Sequence, residues 1–128
     1  MIFIEDKLLL PFGAAAVLPK KVLKSWGYEL IFYNKQNYCS KKLFINKNSE
    51  SSMHYHNTKH ETITVYNGIL ELEYLDEGAK KVVKLYENHS IVIPPGFSHR
   101  LRAKETDVIL FEASTHALNS DSIRLTEY

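Results

Sequence analysis

His54-Tyr55-His56-Asn57-Thr58-Lys59-His60-Glu61 is the stretch on which the reading of this chain turns. On an extended strand successive side chains alternate between faces, so His54 and His56 point the same way and both imidazoles can reach one ion. Glu61 has the wrong parity for that face on an unbroken strand. The run from Asn57 to His60 is polar and short, and a turn within it would bring the carboxylate back. Thirty-eight residues beyond Glu61, just past the turn signal Pro94-Pro95-Gly96, stands His99. The expected site is three histidines and one glutamate, His54, His56, Glu61 and His99, holding one metal ion inside a β-barrel. His60 and His89 read as loop residues and stay outside the set.

The sequence on either side reads as strands. Trp26 to Tyr33 is aromatic and β-branched, and Tyr38 to Ile45 follows after a polar turn. Ser51 to His56 carries the histidine pair. Glu61 to Tyr66 alternates, with Ile63 and Val65 on the Glu61 face. Asn67-Gly68 reads as a type I′ hairpin turn. Next comes Ile69 to Leu75, with Leu70, Leu72 and Tyr74 facing in and Glu71 and Glu73 facing out. Asp76-Glu77-Gly78 turns into Lys80 to Tyr86. Ser90 to Ile93 leads to the proline turn, and Ser98 to Ala103 places His99 and Leu101 on one face. Val108-Ile109-Leu110-Phe111 is apolar on both faces, as for a strand covered on both sides. Met1 to Lys24 has no clear period; Met1-Ile2-Phe3-Ile4 fits an edge strand or an arm toward a neighbouring subunit, and Lys20, Lys21 and Lys24 read as a solvated loop. Ser114 to Tyr128 is a tail or a return strand. Short strands at near-regular spacing with polar turns predict an all-β antiparallel sandwich or barrel. The expected division is an N-terminal arm over 1–23, a barrel core over 24–113 and a C-terminal segment over 114–128.

Composition narrows the function classes. A chain of 128 residues suits one domain with its own core. With 45% apolar and 24% charged residues, extensive disorder is not expected. A formal net charge of +1 gives no general pull toward nucleic acid or a membrane surface. The single cysteine, Cys39, cannot form an internal disulfide and has no obvious activating partner. The run from Leu8 to Leu18 contains Pro11 and Gly13, follows Glu5 and Asp6, and is shorter than the ~20 residues a membrane span needs. The expectation is a cytoplasmic, unanchored protein.

Taken together, these residues resemble the cupin superfamily. Its first motif runs Gly, five residues, His-x-His, three or four residues, Glu, six residues, Gly. His54, His56, Glu61 and Gly68 match it in register, with Asn48 at the leading glycine position. The second motif runs Gly, five residues, Pro-x-Gly, two residues, His, three residues, Asn. Pro94, Gly96 and His99 match, with Asn88 in place of the glycine and Ala103 in place of the asparagine. Asparagine tolerates left-handed backbone better than most residues, and the Ala103 position is not a ligand. The resemblance implies a single cupin domain, an antiparallel β-sandwich or jelly-roll barrel, with His54, His56, Glu61 and His99 on the ion. A narrower likeness runs over about residues 24–124. Lys24-Ser25-Trp26-Gly27-Tyr28-Glu29, Lys42, Ser52 to His56 and Ile93-Pro94-Pro95-Gly96-Phe97-Ser98-His99 are similar to the mannose-6-phosphate isomerase-like cupins, with Ser25 where proline is usual. That likeness implies a sugar or sugar phosphate as ligand.

Imidazoles and a carboxylate suit Zn, Fe, Mn, Ni or Co, and ligand type alone does not choose among them. Aldose–ketose isomerisation needs a Lewis acid on the substrate oxygen and a base beside the adjacent carbon. Glu112 and His116 are the candidates for the base. Trp26 and Tyr28 are candidates to wall the pocket, or else pack in the core. Arg100 is the candidate for a substrate anion, although alternation from His99 turns both Arg100 and Arg102 outward. Three classes follow: a sugar isomerase or epimerase, an Fe-dependent dioxygenase, and a non-catalytic metal or sugar binder. A homodimer is expected, with a second copy supplying a wall that so short a chain lacks.

Overall fold

Alternating apolar and polar residues between turns build strands throughout. The structure, a computed structural model, describes residues 3–128; Met1 and Ile2 of the expected arm lie outside the described residues. The strands are β1 (Lys7–Leu9), β2 (Ala15–Val17), β3 (Lys20–Lys24), β4 (Gly27–Asn34), β5 (Cys39–Ile45), β6 (Ser49–Glu50), β7 (His54–His56), β8 (Glu61–Asn67), β9 (Leu70–Asp76), β10 (Ala79–Leu85), β11 (Ser90–Ile93), β12 (His99–Ala103), β13 (Val108–Ser114) and β14 (Ser122–Arg124). Two six-stranded antiparallel sheets face each other. One runs β11-β8-β13-β5-β4-β3 and the other β10-β9-β12-β7-β14, with β6 paired to β12. No α-helix occurs among the described residues, and no helix there is long and apolar enough to cross a membrane.

Inward side chains change character along each strand. At one end Ile45, Val65, Leu72, Ala103, Val108 and Leu110 are fully buried and form the apolar core. Each of the Ile, Val and Leu side chains contributes roughly 1.5–3 kcal/mol. Two to four residues along the same strands, the inward positions become Glu61 on β8, Glu112 on β13 and His99 on β12, all buried. Register pairs Ile63 with Glu112 and Glu61 with Ser114, so the charged positions gather at one end of the sandwich.

Several local expectations need correction. Asn67-Gly68 is not a hairpin, because β8 and β9 belong to different sheets. Only Gly68 there has positive φ, at 90°. The I′-like hairpin joins β9 to β10, where Glu77 (φ 51°) and Gly78 (φ 82°) both take the left-handed conformation. Lys20, Lys21 and Lys24 lie on the edge strand β3, paired with β4, so the barrel sheet begins before residue 24. β1 and β2 form a separate two-stranded sheet inside the expected arm. β13 is covered on one side only: Val108 and Leu110 face in, whereas Phe111 is 38% exposed and meets Tyr66 edge-on. Glu71 and Glu73 do point outward, yet they are buried under Arg100 and Arg102. The C-terminal segment returns as β14 beside β7. Asn48 and Asn88, at the two motif glycine positions, take φ of 67° and 70°.

Gly68 is required by contact as well as by φ. A Cβ there would sit 2.2 Å from the Asp107 carbonyl oxygen, whereas one at Gly78 meets nothing within 4 Å. Gly68→Ala is expected to cost about 2–4 kcal/mol and Gly78→Ala about 1 kcal/mol in urea titrations. Equal costs would show that the sheet crossing is not tightly packed.

Candidate metal centre

β7 is three residues long and lies between β12 and β14, with His54 opposite His99 on one side and Arg124 on the other. This brings the three rings together. Ring centroids are 4.5 Å apart for His54 and His99, 5.1 Å for His54 and His56 and 6.2 Å for His56 and His99. One nitrogen from each ring lies within 4.8 Å of the others, so these three residues can hold one ion.

The hydrogen bonds orient the rings. His54 Nδ1 is 2.8 Å from the Ser52 carbonyl oxygen, and His99 Nδ1 is 2.8 Å from that of Phe97. A carbonyl only accepts, so Nδ1 donates in both rings, and in the neutral form each Nε2 keeps a lone pair. His56 Nδ1, His99 Nε2 and Glu61 Oε2 are buried without a hydrogen-bond partner. Leaving one such atom unsatisfied costs about 1–3 kcal/mol; Glu61 Oε2 already faces the Lys59 ammonium at 2.8 Å, and the two bare ring nitrogens suit a cation. Nε2 of His99 also faces Glu61 Oε1 at 3.3 Å. A lone pair set against an anion is relieved by a proton or by a metal ion. The donor set of imidazoles and a carboxylate fits a divalent transition metal.

Glu61 stands at the margin of the trio. Its Oε2 is 3.9 Å from His56 Nε2 and 2.8 Å from Lys59 Nζ, an ion pair without hydrogen-bond alignment. The same ammonium lies 2.9 Å from Glu112 Oε2. The expected turn over 57–60 is pinned from the C-terminal segment: Asp121 accepts from the backbone N–H of Thr58 and of Lys59 and from the Thr58 hydroxyl, each at 3.0 Å.

Burial, then repulsion from His99, pushes His54 down to about 4. Burial and the Lys59 charge lower His56 too. Burial alone would raise the Glu61 carboxyl, but the His99 ring and Lys59 outweigh it and hold Glu61 below the usual carboxylate range. Burial would lower Lys59, but Glu112 and Glu61 outweigh it and keep the ammonium charged.

A cavity of about 1350 Å³ opens over the histidines. Glu61, Lys59, Glu112, Trp26 and His116 line it together with the trio. Tyr28 does not line it; the ring stacks on Phe44 at 5.2 Å beneath Lys21. Arg100 is also absent from the lining. It lies on the outer face, bonded to the Ser51 carbonyl, Glu73 and the Tyr128 carbonyl. His60 is exposed outside it, and His89 caps a turn by accepting from the Tyr86 N–H. Cys39 is buried, and burial raises its thiol pKa, which makes it a poor nucleophile. Sequence reasoning missed Lys59 and Asp121. The signal for Lys59 was its parity, the same as that of Glu61 two residues later.

The protein-family model described as Cupin matches residues 33–127. No curated protein matches the sequence. Among solved structures, the capsular polysaccharide assembling protein CapF from Staphylococcus aureus aligns with TM-score 0.71 at 15% identity, covering 85% of this chain and 34% of that one. Oxalate decarboxylase from Bacillus subtilis aligns with TM-score 0.74 at 17% identity, covering 84% of this chain and 30% of that one. The chain thus spans about a third of the length of these proteins, and at such identity they share the fold alone.

His54 gives a pH test of the burial. In the unfolded chain a histidine takes up its proton near 6.5, whereas folded, metal-free His54 resists until about pH 4. Protons therefore bind the unfolded state first, and stability present above pH 6.5 drains away as pH falls toward 4. The contribution is on the order of 3 kcal/mol. Urea titrations of EDTA-treated protein at stepped pH are expected to show this slope, and His54→Gln is expected to flatten it. An identical slope in the variant would refute the burial of an uncharged ring.

Proposed function

The chain belongs to the cupin family, and on that premise we propose that it is a metal-dependent enzyme of a sugar or sugar phosphate, an aldose–ketose isomerase or epimerase in carbohydrate biosynthesis. The observation that carries this is the close set of His54, His56 and His99, with bare buried nitrogens on His56 and His99 and Glu61 Oε1 facing His99, in the lining of a large cavity that also holds a second buried carboxylate, Glu112. His54, His56, His99 and Glu61 would hold one divalent transition metal. That ion would supply a Lewis acid for the substrate's carbonyl or hydroxyl oxygen.

The other steps belong to the chain. Glu112 lines the cavity and is held by Lys59 and by the Ser114 hydroxyl at 2.9 Å. It takes the proton from the carbon beside the carbonyl, with His116 as the alternative base. Trp26 offers an apolar wall for a sugar ring. The likeness to mannose-6-phosphate isomerase-like cupins supports a sugar substrate, and the fold shared with the capsular polysaccharide assembling protein CapF agrees with it. The lone, buried Cys39 is consistent with a cytoplasmic setting. The uncovered outer face at Tyr66 and Phe111 is consistent with a homodimer.

The test is to strip the protein with EDTA, reload it with Zn, Fe, Mn, Ni or Co, and follow mannose 6-phosphate, fructose 6-phosphate and a wider sugar-phosphate panel by NMR. Conversion that requires the metal is expected. Turnover only with Fe and O₂ would replace the isomerase by a dioxygenase, for which the same donor set is suited. Metal binding with no turnover would leave a metal or sugar binder. For the ligands, His54→Ala and His56→Ala are expected to lose most bound metal and the stabilisation it brings, ~2.7 kcal/mol at a hundredfold excess over Kd. His60→Ala is expected to retain both, as read by elemental analysis and melting temperature.

A further inference from the structure

Lys59 is 5% exposed, and its ammonium has two anionic neighbours, Glu61 Oε2 at 2.8 Å and Glu112 Oε2 at 2.9 Å. Its backbone N–H is fixed by Asp121, itself 9% exposed, and its ammonium is held by the two carboxylates. The two oxygens of Glu61 are therefore used differently: Oε1 faces His99 at 3.3 Å, while Oε2 is turned to Lys59. This explains why Glu61 stands beside the close set of three histidines and not within it.

Resting on the metal reading above, we propose that Lys59 is a positioning residue and an internal competitor for the metal, holding Glu61 by Oε2 so that only Oε1 is free to face the histidines. Two effects act in the same direction. A fixed positive charge beside the site raises the energy of a bound dication. A carboxylate that gives one oxygen instead of two binds the ion less tightly and leaves it more room for a substrate oxygen. Lys59 thus trades metal affinity for an accessible centre. A merely structural ion pair would affect folding and leave the metal's affinity and ligand field alone.

The experiment is a Co²⁺ titration at fixed neutral pH against a competing chelator, with visible spectra of the loaded protein. Near-UV circular dichroism checks the fold of each metal-free variant. Lys59→Met is expected to bind Co²⁺ at least tenfold more tightly than the wild type, with a changed visible spectrum. Lys59→Arg, which keeps the cation, is expected to restore wild-type affinity and spectrum. Should Lys59→Met fail to fold, the double variant Lys59→Met/Glu112→Gln removes one positive and one negative charge together and leaves the net charge unchanged. It is expected to bind at least fivefold more tightly than the wild type, because Oε2 is freed. Unchanged or weaker binding in the folded single variant, or wild-type affinity in the double variant, overturns the role of Lys59 alone. A wild-type protein that takes up none of the five metals overturns the metal reading and the role of Lys59 with it.

Discussion

One ammonium shared by two buried carboxylates governs the polar end of this sandwich. A lone buried charge is costly, and a buried pair is often no better than an apolar pair of the same shape. Lys59, Glu61 and Glu112 are all about 95% buried, so each is tolerable only because of the others. Glu61 and Glu112 come from adjacent strands, β8 and β13, and without a cation between them two anions would lie diagonally across the ladder, Glu61 opposite Ser114 and Glu112 opposite Ile63. Lys59 comes from the turn that leads into β8. That turn is held in place by Asp121, more than sixty residues away in sequence. The charge trio therefore depends on the return of the C-terminal segment, and the site is complete only when β14 has paired with β7.

The apolar end supplies the stability that the polar end spends. Along β8 the inward residues run Glu61, Ile63, Val65; along β12 they run His99, Leu101, Ala103; along β13 they run Val108, Leu110, Glu112. The same strands are core at one end and site at the other. A shift of one residue in register would put the histidines outside and Arg100 inside. The outer face guards against that slip. Arg100 and Arg102 meet Glu71 and Glu73 across the β9–β12 ladder, so opposite charges lock the register from behind.

What was legible in the sequence was local. Parity alone placed His54 with His56 and turned Arg100 away from them. Asn88 was read as a tolerable glycine substitute, and both it and Asn48 take left-handed backbone. What was not legible depended on partners far along the chain. Asn67-Gly68 has the composition of a hairpin turn, yet the contact that demands Gly68 is the Asp107 backbone, and that contact exists only once the two sheets have packed. β1, β2 and β14 have three residues each, too few to show a period. Trp26 and Tyr28 share parity, but Trp26 precedes β4 and turns toward the cavity, whereas Tyr28 follows the pleat outward. Lys59 read only as part of a short polar turn because the second of its two carboxylates lies fifty-three positions downstream.

The shared ammonium also ties the histidine end of the cavity to the carboxylate above it. Glu61 borders the three rings, Glu112 faces the open cavity, and Lys59 touches both. Whatever draws Glu61 toward the histidines weakens its hold on Lys59 and leaves the ammonium more fully to Glu112. Whatever binds against Glu112 from the cavity is felt in turn at Glu61. The two carboxylates are thus one electrostatic unit with a single counter-charge, and neither can be assigned a role in this cavity without the other.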